Sequence, residues 1–91
     1  MENINKKRFN LLLTFTHQHP NSKYILYDNL ERSVEAVYDT DYESDNGLDE
    51  DEDSYEEFQC IVFQRIDDGS LFEVNYHQIP IKVTCDGNDV Y

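Results

Sequence analysis

The sequence predicts an α+β fold, with a small antiparallel sheet of four to five strands, one short helix and an acidic loop. Short apolar runs alternate with period two, a DDG turn separates two of these runs, and one stretch changes to a helical period. The chain has 91 residues, which is enough for one domain, 1–91, with one core. Residues 1–7 are expected to be flexible.

The first run, RFNLLLTFTH, places Phe9, Leu11, Leu13 and Phe15 on one side of an extended chain. This pattern predicts a strand with one buried face, and the residues TFT at 14–16 favour that assignment. A helix that starts near Asn5 is the competing interpretation. The run KYILY at 23–27 predicts a second strand, so the two are expected to form a hairpin.

The next segment, DNLERSVEAVY, changes period, because Leu30, Val34 and Val37 recur at helical spacing. Asp28, followed three residues later by Glu31, resembles the start of a capped helix. The pattern predicts a short helix over residues 29–38. The run SVEAVY is also compatible with a strand.

Two further strands are predicted on either side of DDG, in the runs EFQCIVFQRI and SLFEVNY. Gly69 supplies the positive φ that a tight hairpin turn needs. The run IPIKVTC predicts one more strand, and Pro80 favours the edge of the sheet because proline cannot donate to a ladder.

The segment 39–57, DTDYESDNGLDEDEDSYEE, contains 11 carboxylates and no lysine or arginine. In an extended chain, Asp39, Asp41, Glu43 and Asp45 would lie on one face about 7 Å apart, which is similar to the spacing of phosphates along a nucleic-acid strand. A denser acidic block follows at 49–53. The segment is compatible with a solvated loop, a calcium loop or a charged surface shaped for a basic partner.

The charge balance favours the third interpretation, because 20 acidic residues face only seven basic ones and the net charge is −13. With so few basic residues, direct binding to nucleic acid is not expected. The calcium-loop interpretation does not fit the EF-hand pattern, because Gly47 falls one place after the position at which an EF-hand loop needs glycine. No metal ligands or cofactors are predicted.

Other features limit the class of protein. No segment has the length of a membrane span, so no membrane partner is expected. Cys60 and Cys85 are too few for a disulfide framework, and a cytoplasmic location with free thiols is expected. No catalytic motif is present, so the protein is predicted not to be an enzyme. The sequence leaves a homodimer open.

Two segments of the sequence resemble segments of known small acidic proteins. SYEEFQCIVFQRIDDGSLFEV at 54–74 looks similar to the C-terminal hairpin of the phage uracil-DNA glycosylase inhibitor. ERSVEAVYD at 31–39 is similar to the acidic segment by which such inhibitors enter the enzyme's DNA groove, although Arg32 stands where an acid is expected. The order of KYILY, acidic middle and hairpin also resembles small acidic bacterial domains of the DUF1292 type.

The resemblance to phage DNA mimics implies a non-enzymatic inhibitor that occupies the nucleic-acid-binding groove of a host enzyme, such as a DNA glycosylase, a restriction enzyme or a CRISPR nuclease. The alternative is a small regulatory or structural domain whose acidic loop is solvated or binds Ca²⁺ or Mg²⁺ weakly. The residues predicted to contact the basic partner are Glu31, Glu35, Asp39, Asp41, Tyr42, Glu43, Asp45, Asp49, Glu50, Asp51, Glu52, Asp53 and Tyr55.

Overall fold

One helix and six antiparallel strands make up the computed structural model, which describes residues 3–30 and 32–91. The α+β class is confirmed, with more strands than predicted. The elements are α1 (Ile4–Gln18), β1 (Lys23–Tyr27), β2 (Ser33–Asp45), β3 (Glu57–Arg65), β4 (Leu71–Val74), β5 (Lys82–Cys85) and β6 (Asn88–Asp89).

The N-terminal run forms helix α1, so the predicted first strand and its hairpin with KYILY are wrong. The side chain of Asn3 caps the helix by accepting hydrogen bonds from the first-turn N–H groups of Asn5 and Lys6. Phe9, Leu12 and Thr16 are buried at helical spacing. The run LLL suits a helix as well as a strand, because leucine is an excellent helix former. The Asn3 cap and the burial of residues at helical spacing favour the helix. The segment predicted to be flexible overlaps α1 from Ile4 onward.

The segment predicted as a helix, 29–38, belongs largely to strand β2, and that prediction is wrong as well. Its residues pair with β1 on one side, from Lys23↔Val37 to Tyr27↔Ser33, and with β3 on the other. A strand with neighbours on both sides satisfies all its backbone groups, and β-branched valines suit that environment. Ala36 is buried under α1, while Glu35 is exposed on the opposite face.

The sheet has the strand order β4-β3-β2-β1-β5-β6. The predicted β3–β4 hairpin is confirmed, and Gly69 in its turn has φ 74°. KYILY is confirmed as a strand. β5 follows Pro80 but lies between β1 and β6, so it is not the edge strand expected from the proline. Pro80 stands before the ladder begins and therefore removes no hydrogen bond from it.

The core lies between α1 and the face of the sheet that α1 covers. Tyr24, Leu12, Ile61, Phe63 and Val83 are fully buried there. Residues 75–81 run from β4 to β5, and Tyr76 and Ile79 pack against the same core. The opposite face of the sheet carries no helix or strand of the described residues.

β2 and β3 extend beyond the rest of the sheet. β1 pairs with β2 only as far as Val37, and β4 pairs with β3 only from Ile61 to Gln64. Beyond these pairings with β1 and β4, Thr40 to Asp45 of β2 pair with Glu57 to Val62 of β3 as a two-stranded projection. We call residues 40–62 the hairpin arm. Its tip is an exposed loop at 46–54 that contains two short turns.

We expect the domain to fold without this loop. The N–H group of Asn46 donates to the carbonyl of Glu56 (3.2 Å), so Asn-Gly in place of residues 47–55 would close the arm in a two-residue turn. The loop contributes nothing to the core, so the cooperative thermal transition, followed by circular dichroism, should be retained. Loss of a cooperative transition would show that the loop is required for folding.

Candidate functional site

The acidic residues of β2 do not form the four-residue alternating face predicted from the sequence. A register shift between Tyr38 and Thr40 makes Asp39 an extra residue with no partner in β3. Asp41, Glu43 and Asp45 pair with Ile61, Gln59 and Glu57, and they lie on the same side of the sheet as α1. Three of the four predicted carboxylates therefore share a face, and Asp39 does not.

Asp41 is already satisfied within the protein. Its Oδ2 lies 2.7 Å from Nε2 of His17, at the end of α1, and also accepts a hydrogen bond from the hydroxyl of Tyr38. Burial acts to raise the pKa of Asp41, but the bonds from Tyr38 and His17 outweigh it and lower that pKa. Asp41 therefore ties the arm to the helix, and its carboxylate is largely occupied.

The next carboxylates along the arm are exposed and crowded. Asp45 pairs directly with Glu57 across the two strands, and Glu43 is the diagonal neighbour of Glu57. The hydrogen bond and the repulsion between Glu43 and Glu57 raise the pKa of Glu43. We call Glu43, Asp45 and Glu57 the carboxylate row. Within residues 3–30 and 32–91, no lysine, arginine or histidine forms an ion pair with any of the three.

Tyrosine hydroxyls orient several carboxylates around the arm. Tyr55 donates to Oε1 of Glu57 at 2.8 Å, and Tyr42, on the opposite face, donates to Glu73. The hydrogen bonds to these carboxylates are the largest factors that raise the pKa of Tyr55 and Tyr42 to about 12. A carboxylate that is held in place before binding loses less side-chain entropy in a complex.

A similar contact fixes the end of the arm that adjoins the tip loop. Glu56 accepts hydrogen bonds from the hydroxyl of Tyr76 and lies 3.0 Å from Nε2 of His77. The Tyr76 bond is the largest cause of the lowered pKa of Glu56, followed by burial, which acts in the opposite direction, and by the bond to His77. The arm is thus braced at both strands, by His17 on β2 and by this pair beside β3.

The remaining predicted contact residues are dispersed. The five acidic residues of 49–53 are exposed in the tip loop. Glu35 lies on the uncovered face of the sheet, where Nζ of Lys23 is 3.7 Å from its Oε1. Glu31 lies outside the described residues. Glu57 and Glu73 were not predicted, although a hairpin pairing of 39–45 with 57–62 would have placed Glu57 opposite Asp45.

No described group of three or more His, Cys, Asp or Glu side chains has the arrangement of a metal site. In an EF-hand register that starts at Asp41, the first three ligand positions are Asp41, Glu43 and Asp45. All three lie in strand β2, so a helix-flanked calcium loop is not the structure of this segment. Cys60 and Cys85 are buried free thiols. The described helix is neither long nor apolar enough to cross a membrane.

At the opposite end of the sheet, an open cleft of about 750 Å³ lies beside residues 78–81. Its apolar lining includes Leu26, Val34 and Phe72. The two arginines at the cleft are paired locally, Arg32 with Asp28 (2.9 Å) and Arg65 with Asp67 (2.7 Å). The cleft is thus lined by two basic residues, Arg32 and Arg65, and two acidic ones, Asp28 and Glu73, whereas the carboxylate row has no basic partner among the described residues.

The repulsion between the carboxylates of the row should affect the stability of the free protein. Because the folded state raises the pKa of Glu43 above its ordinary 4.5, ionisation of Glu43 disfavours folding. We expect Glu43→Gln to raise the melting temperature slightly at pH 7. The gain should be complete above the raised pKa and should disappear as the pH falls below about 4.5, where both states bind the proton.

The matched control is Asp51→Asn, which removes one charge from the exposed loop. Melting temperatures of both variants and the parent protein between pH 3.5 and 7.5 would test the effect. An equal rise in both variants would show that overall charge, and not the contact between Glu43 and Glu57, limits the stability.

The fold and this surface are those of a small acidic α+β protein whose negative charge is concentrated on one projecting arm. The model of the family described as cognate immunity protein YxxD matches residues 8–68, which is more than half of the 91 residues, and the chain belongs to that family. No curated protein and no solved structure matches it.

Membership in an immunity-protein family indicates an inhibitor that acts by binding another protein. This class agrees with the prediction of a non-catalytic inhibitor. The match gives no support to the resemblance to the uracil-DNA glycosylase inhibitor or to DUF1292. The matched segment begins in α1, contains the whole hairpin arm and ends in the β3–β4 turn.

Proposed function

We propose that this protein neutralises a cognate toxin by covering a basic surface of that toxin with the carboxylate row. The observation that carries the proposal is the presence of three exposed carboxylates, one with a raised pKa, that have no cationic partner among the described residues. Cations from a binding partner would relieve this repulsion. The immunity-protein family supplies the expectation of such a partner.

We further propose that the toxin acts on DNA or RNA and that the arm occupies its nucleic-acid-binding groove. Enzymes of this kind hold phosphates with lysine and arginine, and consecutive carboxylates on one face of a strand lie about 7 Å apart, near the spacing of phosphates. Glu43 and Asp45 have this relation along β2. The tyrosines around the arm suit the interior of an interface, where tyrosine is enriched.

The experiment pairs the purified protein with the toxin identified by co-purification from cells that encode both. We expect an equimolar complex whose dissociation constant rises steeply with salt, and competition for the toxin between this protein and a DNA or RNA duplex. A complex that tolerates 1 M salt and leaves the toxin's nucleic-acid binding unchanged would contradict the proposal.

A further inference from the structure

The outer edge of β2 along the arm has no neighbouring strand within the described part of the chain. β1 ends its pairing at Lys23↔Val37, and residues 39–45 continue past that point. Seven residues of strand extend for about 20 Å. Exposed strand edges can accept an additional strand from another protein.

The direction of the backbone groups identifies which residues form this edge. Asn46 donates its N–H group towards β3, to Glu56, and residues two apart in a strand point their backbone groups to the same side. Tyr42 and Ser44 therefore bond β3, and Asp41, Glu43 and Asp45 direct their N–H and C=O groups outward. The carbonyl of Asp41 accepts a 3.5 Å contact from the hydroxyl of Thr40.

The same residues thus carry the outward backbone groups and the side chains of one acidic face. We propose that a strand of the cognate toxin with Lys or Arg at alternate positions adds to this edge of β2. This inference rests on the proposed function and specifies how the toxin is held. Main-chain hydrogen bonds would set the register, and the cations would lie beside Glu43 and Asp45, because the carboxylate of Asp41 is already bonded to His17 and Tyr38.

Charge decides between this occupant and a second copy of the chain. Antiparallel pairing of two β2 edges would place Asp41, Glu43 and Asp45 against the same three residues, and like charges across a strand pair are destabilising. A strand with alternate cations turns each of these repulsive contacts into an attractive one. Its uncharged alternate side chains would lie on the face of Tyr42 and Ser44.

Amide hydrogen exchange followed by NMR tests the inference on the full chain. In the free protein, the N–H groups of Glu43 and Asp45 should exchange at least tenfold faster than those of Tyr42 and Ser44, which bond β3. The probe is a ten-residue peptide of alternating lysine and threonine. It should slow exchange at Glu43 and Asp45 at least tenfold at saturation, with little change at Tyr42 and Ser44.

The control peptide has the same composition with its five lysines in one block. Slower exchange at Glu43 and Asp45 with the alternating peptide alone supports edge pairing. The same slowing with both peptides, or with neither, overturns it, because charge without alternation would then account for any binding.

The complex with the toxin separates this inference from the proposed function. If a variant without the carboxylate row binds the toxin as tightly as the parent protein does, the proposed function is wrong. If that variant binds about 100-fold more weakly, while Glu43 and Asp45 of the parent protein remain in rapid exchange within the complex, the function stands and edge pairing is excluded.

Discussion

The triple variant E43Q/D45N/E57Q is expected to bind the toxin about 100-fold more weakly than the parent protein in 0.15 M salt. Each row carboxylate would pair with a cation in the complex, and a contact worth about 1 kcal/mol at each of three positions corresponds to about two decades in the dissociation constant. Because tyrosine orients Glu57 beforehand, the loss should lie mainly in the dissociation rate.

The loop variant D49N/D51N/D53N removes the same number of charges from the tip of the arm. These side chains are exposed, so they contribute chiefly long-range attraction, and the affinity loss should stay below about tenfold and lie in the association rate. Surface plasmon resonance at two salt concentrations gives both rates. Equal losses in the two variants, confined to association, would mean that net charge and not the arrangement of the row controls binding.

Leu12→Ala is expected to reduce the free energy of unfolding by about 2–5 kcal/mol, because Leu12 is fully buried between α1 and the sheet. In a domain of this size, that loss lowers the melting temperature by about 10 °C or more. Leu11→Ala is the matched control, since Leu11 is 46% exposed on the same helix. Its cost should remain below about 1 kcal/mol.

Urea titration with circular dichroism measures both variants, and guanidinium is avoided because its salt effect would mask the acidic repulsion. The comparison distinguishes the helix from a strand at residues 9–16, since a strand that buries Phe9, Leu11, Leu13 and Phe15 reverses the order. A larger loss in Leu11→Ala would contradict the helical packing described above.

The sequence predicts the part of the fold in which local chemistry and tertiary pairing agree. KYILY and the two strands around DDG have both β-rich composition and an adjacent partner, so their prediction is confirmed. Residues 9–16 were predicted as a strand and form a helix, and residues 29–38 were predicted as a helix and lie largely in a strand. Both predictions are wrong because the apolar residues of each segment fit the helical and the strand period. In β2, pairing on both sides outweighs the helical spacing of Leu30, Val34 and Val37.

The candidate site was predictable only in outline. An extended acidic strand at 39–45 follows from alternation alone. The bulge that removes Asp39 from the face, and the pairing that brings Glu57 beside Asp45, depend on strand register, which is set by contacts between distant segments. The partial occupation of Asp41 by His17 likewise depends on a helix that the sequence pattern had assigned as a strand.

The position of β5 has a consequence for the order in which the chain folds. β5 pairs with β1, so this contact closes a long loop between residues 27 and 82. In contrast, β1 pairs with β2 and β2 pairs with β3, and each of these pairs is consecutive in the chain. Closing a long loop costs more entropy than closing a short one, and contacts distant in sequence form slowly. We therefore expect β5 to dock late, after the β2–β3 hairpin that presents the carboxylate row has formed.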